Sequence, residues 1–290
     1  METASALSQA MGPADHGRRD FLRYTLAAGA ALAAAPSMMG TAFAQTSSWR
    51  GVVGCIKPTL RPGTLEELIR MLPVGIGVLP VYLEFHEGTT QEFRKGVDQY
   101  EHYVEFLAKH NCDIIHPEGA PVFMVLGREG ETKLTQSWEK KYGKPIFTAP
   151  QNQVNALHAL GAKSLYGATY FPDPKQNQIY AKYFQDAGFK VFGMEGLKGI
   201  DFAKVQDVSA EQIYAFIKKG FLANPGGDAI YMLGSAWRTL EIIEPLEQDL
   251  GVPVVHAEVA RAWEIQKRLH VNQPFKGYGR LLATLPPLKV

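Results

Sequence analysis

The feature that most constrains this chain is a duplication. "CDIIHPEGAPVF", from Cys112, and "GDAIYMLGSAWRTL", from Gly227, each carry an aspartate, an apolar run and a glycine six residues after the aspartate, Asp113 to Gly119 and Asp228 to Gly234. Each copy runs on into a helical stretch and then into a strand opened by Gly-x-Pro, "GKPIFTAP" from Gly143 and "GVPVVHAE" from Gly251. One strand–loop–helix–strand unit used twice implies two similar lobes related by a pseudo-two-fold axis.

The surrounding pattern alternates short apolar strands with amphipathic helices, the mark of parallel sheets with helices on their faces. Strands are expected at 52–56, 77–85, 113–116, 145–148, 164–168, 190–193, 229–233 and 253–255. Helices are expected at 65–71, 93–109, 151–160, 176–186, 210–221, 238–250 and 260–269, several of them ended by glycine (Gly161, Gly188, Gly251). The fold class is therefore α/β, with two parallel-sheet lobes. The N-terminal lobe is expected over 50–155, completed by 265–290, and the C-terminal lobe over 156–264. Ligands of open parallel sheets bind beyond the carboxyl ends of the strands. Both glycine loops lie at such ends, so the site is expected between the lobes.

Ahead of the lobes stands a leader. Arg18-Arg19-Asp20-Phe21-Leu22 precedes an Ala/Leu/Gly run from Leu26 to Ala35, and Ala42-Phe43-Ala44 reads as a small-x-small cleavage site. Paired arginines point to twin-arginine export, with residues 1–44 removed after Ala44 and a periplasmic product. The export machinery is thus one expected partner. With 30 basic and 29 acidic residues the net charge is +1, and no basic stripe or nucleic-acid motif is present. Nucleic acid is not an expected partner, and a homo-oligomer is left open. The two cysteines, Cys55 and Cys112, lie in apolar strand runs and read as unpaired core thiols rather than as a bridge.

The groups able to move protons sit at the strand ends. "HPEGAP" sets His116 and Glu118 just before Gly119, and "VPVVHAE" sets His256 before Glu258 at the place that Thr148 holds in the first copy. His116, Glu118 and His256 are the candidate acid/base groups. Two His and two carboxylates admit a divalent metal in principle, but tight ligand spacing is absent and no metal is assigned. Lys57, ending the first strand, brings a positive charge for a carboxylate. Ser235 and Arg238 offer a hydroxyl and a bidentate cation in the second loop.

The opening "GVVGCIKPT", the segment "GKPIFTAPQNQVNALHALGAKSLYGATYFPDPKQNQIYAKYFQDAGFKV" and "GDAIYMLGSAWRTLEIIEPLEQDLGVPVV" together resemble the aspartate/glutamate racemase superfamily. The nearest branch is that of maleate cis–trans isomerase and arylmalonate decarboxylase. The resemblance implies a cofactor-free site between two lobes that acts on small carboxylic acids, with a cysteine from one or both lobes. It implies substrate contacts from Gly119, Ala120, Gly234, Ser235 and Ala236, and from Thr169 and Tyr170 in "ATYFPDP". The two thiol positions, however, fall on Gly119 and Gly234. The hydroxyls expected after the first are Ala120 and Pro121, and the aromatic hydroxyl expected one place after Tyr170 is Phe171. A thiol mechanism is disfavoured.

The expected function is a cofactor-free lyase or isomerase of decarboxylase- or hydratase-like type. It would work on a small carboxylic acid by proton transfer next to the carboxylate, with His or Glu replacing cysteine. Two alternatives stand beside it: a periplasmic carboxylic-acid binding protein without turnover, and a metal-dependent hydrolase on the same lobes.

Overall fold

The computed structural model describes residues 47–288 except Arg238. The expected leader, 1–44, and the binding role assigned to Arg238 lie outside the described residues. The chain divides into Met1–Trp49 and Arg50–Val290, and every strand and helix named here belongs to the second unit.

The first lobe runs β1 (Gly51–Lys57), α1 (Thr64–Met71), β2 (Ile76–Tyr82), α2 (Thr90–Lys109), β3 (Ile114–Pro117), α3 (Ala120–Met124), α4 (Gly127–Tyr142) and α5 (Ala149–Ala159). The second runs β4 (Ser164–Thr169), α6 (Pro174–Asp186), β5 (Lys190–Gly196), α7 (Ala210–Ala223), β6 (Ile230–Met232), α8 (Ile243–Leu250) and β7 (Val254–His256). Two further helices follow, α9 (Ala257–Arg268) and α10 (Arg280–Thr284). Two parallel sheets result, ordered β2-β1-β3 and β5-β4-β6-β7. Ile146 adds a single parallel bridge to Ile115 beside β3, where β7 stands beside β6 in the other sheet. The strand expected over 145–148 is thus one bridge, and the helix expected over 238–250 is a 3-10 turn (Leu240–Ile242) followed by α8. The helical stretch expected after Gly119 is split into α3 and α4, and α10 had no counterpart in the sequence.

The duplication holds at the level of single bonds. Asp113 accepts the backbone N–H of Val52, opening β1, at 2.7 Å, and Asp228 accepts those of Lys163 and Ser164, opening β4, at 3.1 and 2.9 Å. Each aspartate thus satisfies the strand-start donors of the central strand of its own sheet. Glu139 accepts the Ile146 N–H at 2.8 Å, and Glu247 accepts the Val254 N–H at 2.9 Å. Both glutamates stand four residues before a helix-ending glycine of positive φ, Gly143 at 65° and Gly251 at 72°. A left-handed residue at that place closes the last helical turn at little cost only when it is glycine. Cys55 and Cys112 are free and buried, as expected from their apolar strands.

Candidate active site

A cavity opens where the carboxyl ends of β1, β3, β4, β6 and β7 meet, with about 630 Å³ of space free of protein atoms, its mouth included. Of the residues singled out in the sequence, Lys57, Glu118, Gly119, Ala120, Tyr170, Gly234, Ser235 and Ala236 line it. The loops in both copies therefore converge as the repeat demanded.

His116, His256 and Thr169 do not line it, and each has a physical reason. His116 is fully buried, stacked on Phe147 at 4.5 Å, with Nδ1 2.7 Å from the Phe147 carbonyl. A carbonyl only accepts, so Nδ1 carries the proton. Burial and the nearby Arg261 charge hold its pKa well below the ordinary histidine value. His256 is the N-cap of α9: its Nδ1 accepts the Glu258 N–H at 3.2 Å. Burial lowers its pKa to about 3, with Arg261 adding to the shift. Thr148 caps α5 in the same way, accepting the Gln151 N–H. The match between Thr148 and His256 in the repeat therefore reflects helix capping. Thr169 spends its hydroxyl on Asn177, at 2.7 Å. Both rings are buried, and of the three acid/base residues expected from sequence only Glu118 lines the cavity.

In its place the structure builds a buried charge cluster. Lys57 Nζ lies 2.9 and 3.2 Å from the two carboxylate oxygens of Glu118, and Arg261 Nη2 lies 3.0 Å from Glu118 Oε2. Arg261 Nη1 also donates to Glu258 at 2.5 Å. All four side chains are at most 2% exposed. Both Lys57 and Arg261 bind the Glu118 carboxylate, so its oxygens are committed to two cations. Among the described residues no three His, Cys, Asp or Glu side chains are grouped to hold a metal ion.

Arg261, Arg61 and Gln153 were not singled out in the sequence, and Glu258 was named only beside His256 in a metal set that was not assigned. Arg261 and Glu258 carried a signal, since "HAEVARAW" sets charges into an otherwise apolar stretch. Because the helix was expected to begin at Ala260, Glu258 and Arg261 were not seen as one helix face. Three residues lining the cavity carry buried N–H donors without a partner among the described residues: Arg61 Nη1, Gln153 Nε2 and Arg261 Nε. Arg61 forms no ion pair among the described residues; its Nη2 donates to the Phe202 carbonyl at 2.6 Å and its guanidinium lies 4.4 Å from the Phe202 ring centre. Part of the lining is aromatic. Phe85 and Phe93 come from the first lobe, Phe171 and Phe202 from the second, with the Phe93 and Phe171 ring centres 5.9 Å apart.

Gly119 and Gly234 have nearly equal backbone angles, φ 90° and 92°. A β-carbon on Gly119 would approach the Tyr100 hydroxyl to 2.9 Å; one on Gly234 would approach the Tyr170 hydroxyl to 2.3 Å. Neither position can take a cysteine without strain and displacement of a tyrosine.

Comparison with known proteins agrees with this architecture. Residues 76–282 match the family model described as arylmalonate decarboxylase. The arylmalonate decarboxylase of Bordetella bronchiseptica is 25% identical over 183 residues, covering 60% of this chain and 73% of that protein. Maleate isomerase from Pseudomonas putida S16, solved with maleate, superposes with a TM-score of 0.72 at 20% identity, over 80% of this chain and 97% of that one. A cysteine-to-serine mutant of the Nocardia farcinica maleate cis–trans isomerase, solved with a covalently bound succinylcysteine intermediate, gives 0.74 at 20% identity, over 81% and 98%. The family match spans more than half of the chain, and the protein belongs to the arylmalonate decarboxylase family.

Proposed function

We propose that the protein is a cofactor-free lyase or isomerase that acts on a small carboxylic acid by proton transfer at the carbon next to the carboxylate, without a thiol. The observation that carries this reading is the set of unpaired donors on Arg61, Gln153 and Arg261 in a cavity with excess positive charge. Lys57 and Arg261 are balanced by Glu118 and Glu258, which leaves Arg61 as the cation without a counter-charge among the described residues. Buried donors without partners are costly. A bound carboxylate satisfies them and supplies the missing charge.

The aromatic wall suits an apolar substituent on the same acid, since pockets for small molecules pair an apolar lining with a few placed polar groups. Preorganised donors around a carboxylate also stabilise the enediolate that forms when the neighbouring carbon carries negative charge. Decarboxylation is favoured over racemisation, because no symmetric pair of thiols faces the cavity. His116, His256 and Glu118 serve this reading as scaffold: two neutral rings, and one carboxylate that anchors two cations. The leader expected over 1–44 adds export to the proposal, and N-terminal sequencing of protein recovered from a host periplasm tests it.

Proton NMR in heavy water tests the function with a panel of malonates, enoates, maleate and 2-hydroxy acids. Loss of a carboxylate, or deuterium at one α-carbon, is expected for at least one aryl- or alkyl-substituted acid. Arg61→Gln is expected to raise KM for it by tenfold or more, as loss of a charged hydrogen bond of about 1.5–3 kcal/mol requires. Saturable binding with no chemical change would show a binding protein instead.

A further inference from the structure

Gly234 and Tyr170 form a pair that neither the fold nor the charge cluster explains. Both line the cavity. Gly234 follows β6, and the place where its side chain would begin is taken by the outer edge of the Tyr170 ring. The built β-carbon lies 2.3 Å from the hydroxyl oxygen, 2.4 Å from Cε1 and 2.6 Å from Cζ. A sulfur attached there would share the volume that the phenol oxygen fills. The ring is fixed on several sides: Phe171 at 4.6 Å, Trp237 at 5.6 Å and Phe202 at 6.3 Å between ring centres. The charges that act on its hydroxyl are those of Arg61 and Glu258. A rigid hydroxyl thus stands in the cavity, close to the cation left without a counter-charge.

We propose that the Tyr170 hydroxyl is the proton donor of the reaction, placed by Gly234 in the volume that a second-lobe thiol would need. The inference rests on the proton-transfer reading and names the group that performs it. In a decarboxylation the bond from the α-carbon to the departing carboxylate breaks, carbon dioxide leaves, and the electron pair stays as an enediolate held by the cavity donors. The O–H bond of Tyr170 then breaks as the new C–H bond forms. The phenolate regains its proton from water at the cavity mouth, so the net reaction consumes one solvent proton.

Burial pushes the phenol's pKa up to about 12, with Arg61 opposing and Glu258 adding to the shift. The group is therefore protonated throughout the neutral and mildly alkaline range, as a donor must be. An ordinary thiol acid would be lost near pH 8.5. The two alternatives make opposite statements about the alkaline side of the rate profile.

The test uses the mature chain and three variants: Tyr170→Phe, Gly234→Cys, and the double variant Tyr170→Ala/Gly234→Cys. Tyr170→Phe is expected to keep KM within about threefold and to lose about 10²- to 10⁴-fold in kcat, the usual range for one general acid. Wild-type kcat is expected to stay level to at least pH 10. The double variant is expected to react with iodoacetamide at one thiol and to recover part of the lost rate, now with a falling limb near the thiol pKa. Gly234→Cys alone is expected to lose stability. Full kcat in Tyr170→Phe overturns the inference and leaves the proposed function standing, whereas a wild type that turns over no acid of the panel removes both. Gly234→Cys that folds with wild-type stability and is alkylated as fast as the double variant shows that the phenol does not fill this volume, and also overturns the inference.

Discussion

The two lobes meet the cavity through the same corner, a glycine of positive φ after a strand with a tyrosine hydroxyl over it, yet the corners have opposite chemistry. At Gly119 the hydroxyl belongs to Tyr100, which is fully buried, outside the cavity lining, and bonded to the Glu118 carbonyl at 2.7 Å. At Gly234 it belongs to Tyr170, which lines the cavity. The first corner is closed by a hydrogen bond and braced by Lys57, Glu118 and Arg261. The second presents its hydroxyl to whatever enters. A duplicated fold has thus kept one geometry twice, with the hydroxyl bonded and buried in one copy and facing the cavity in the other.

The largest effect expected from this contrast falls on the braced corner. Arg261→Met strands the buried carboxylates of Glu118 and Glu258, and removing one partner of a buried ion pair costs about 3–5 kcal/mol. Urea unfolding is expected to show a loss of that size, against less than about 0.5 kcal/mol for Ser235→Ala in the open corner.

The second expectation concerns the two equivalent helix caps, Thr148 and His256. The folded pKa of His256 is about 3, below the unfolded value near 6.5, so the unfolded chain binds the proton more tightly. The stability that this ring contributes is fully present above pH 6.5 and is lost as pH falls toward 3. Between pH 7 and pH 5 the loss is on the order of 2 kcal/mol. His256→Asn, a cap that does not titrate, is expected to flatten that part of the stability profile. An unchanged slope would mean that the imidazole is not buried neutral.

The smallest differences in stability separate the two tyrosines directly. Tyr100→Phe leaves the Glu118 carbonyl without its donor and is expected to cost about 1–3 kcal/mol in stability. Its kcat is expected to change little. Tyr170→Phe is expected to do the reverse, within about 0.5 kcal/mol of wild-type stability but deficient in turnover. Equal stability losses in the two variants would erase the contrast between the corners.

Much of the fold was legible because strands and helices leave periodic signals and the repeat supplied the pairing. The aspartates six residues before each glycine proved to be strand-start acceptors, a role that the repeat made visible without naming. The weaker elements were not legible. Ile146 forms one bridge rather than a strand because the bonds of Pro145 and Phe147 both go to the single residue Ile115 of β3, and α3 is five residues long, too short for a periodic signature. Among the residues lining the cavity, the glycine loops, Lys57, Glu118, Tyr170 and Ser235 were named from strand ends and family resemblance. His116 and His256 do not line the cavity, because a ring bonded to a carbonyl and a helix cap look, in sequence, like a titrating pair. Arg61, Gln153, Arg261 and the aromatic wall come from loops and helices distant in the chain, and only the packing of the two lobes brings them together.

The central claim is that this site moves a proton without sulfur, and both thiols are buried away from reagent. The most direct measurement is the rate of carboxylate loss or α-deuteration in heavy water, followed by NMR before and after exhaustive treatment of the folded protein with iodoacetamide. Turnover unchanged by the reagent is the expected result. Turnover abolished in step with alkylation of Cys55 or Cys112 would contradict it and return the chemistry to a thiol.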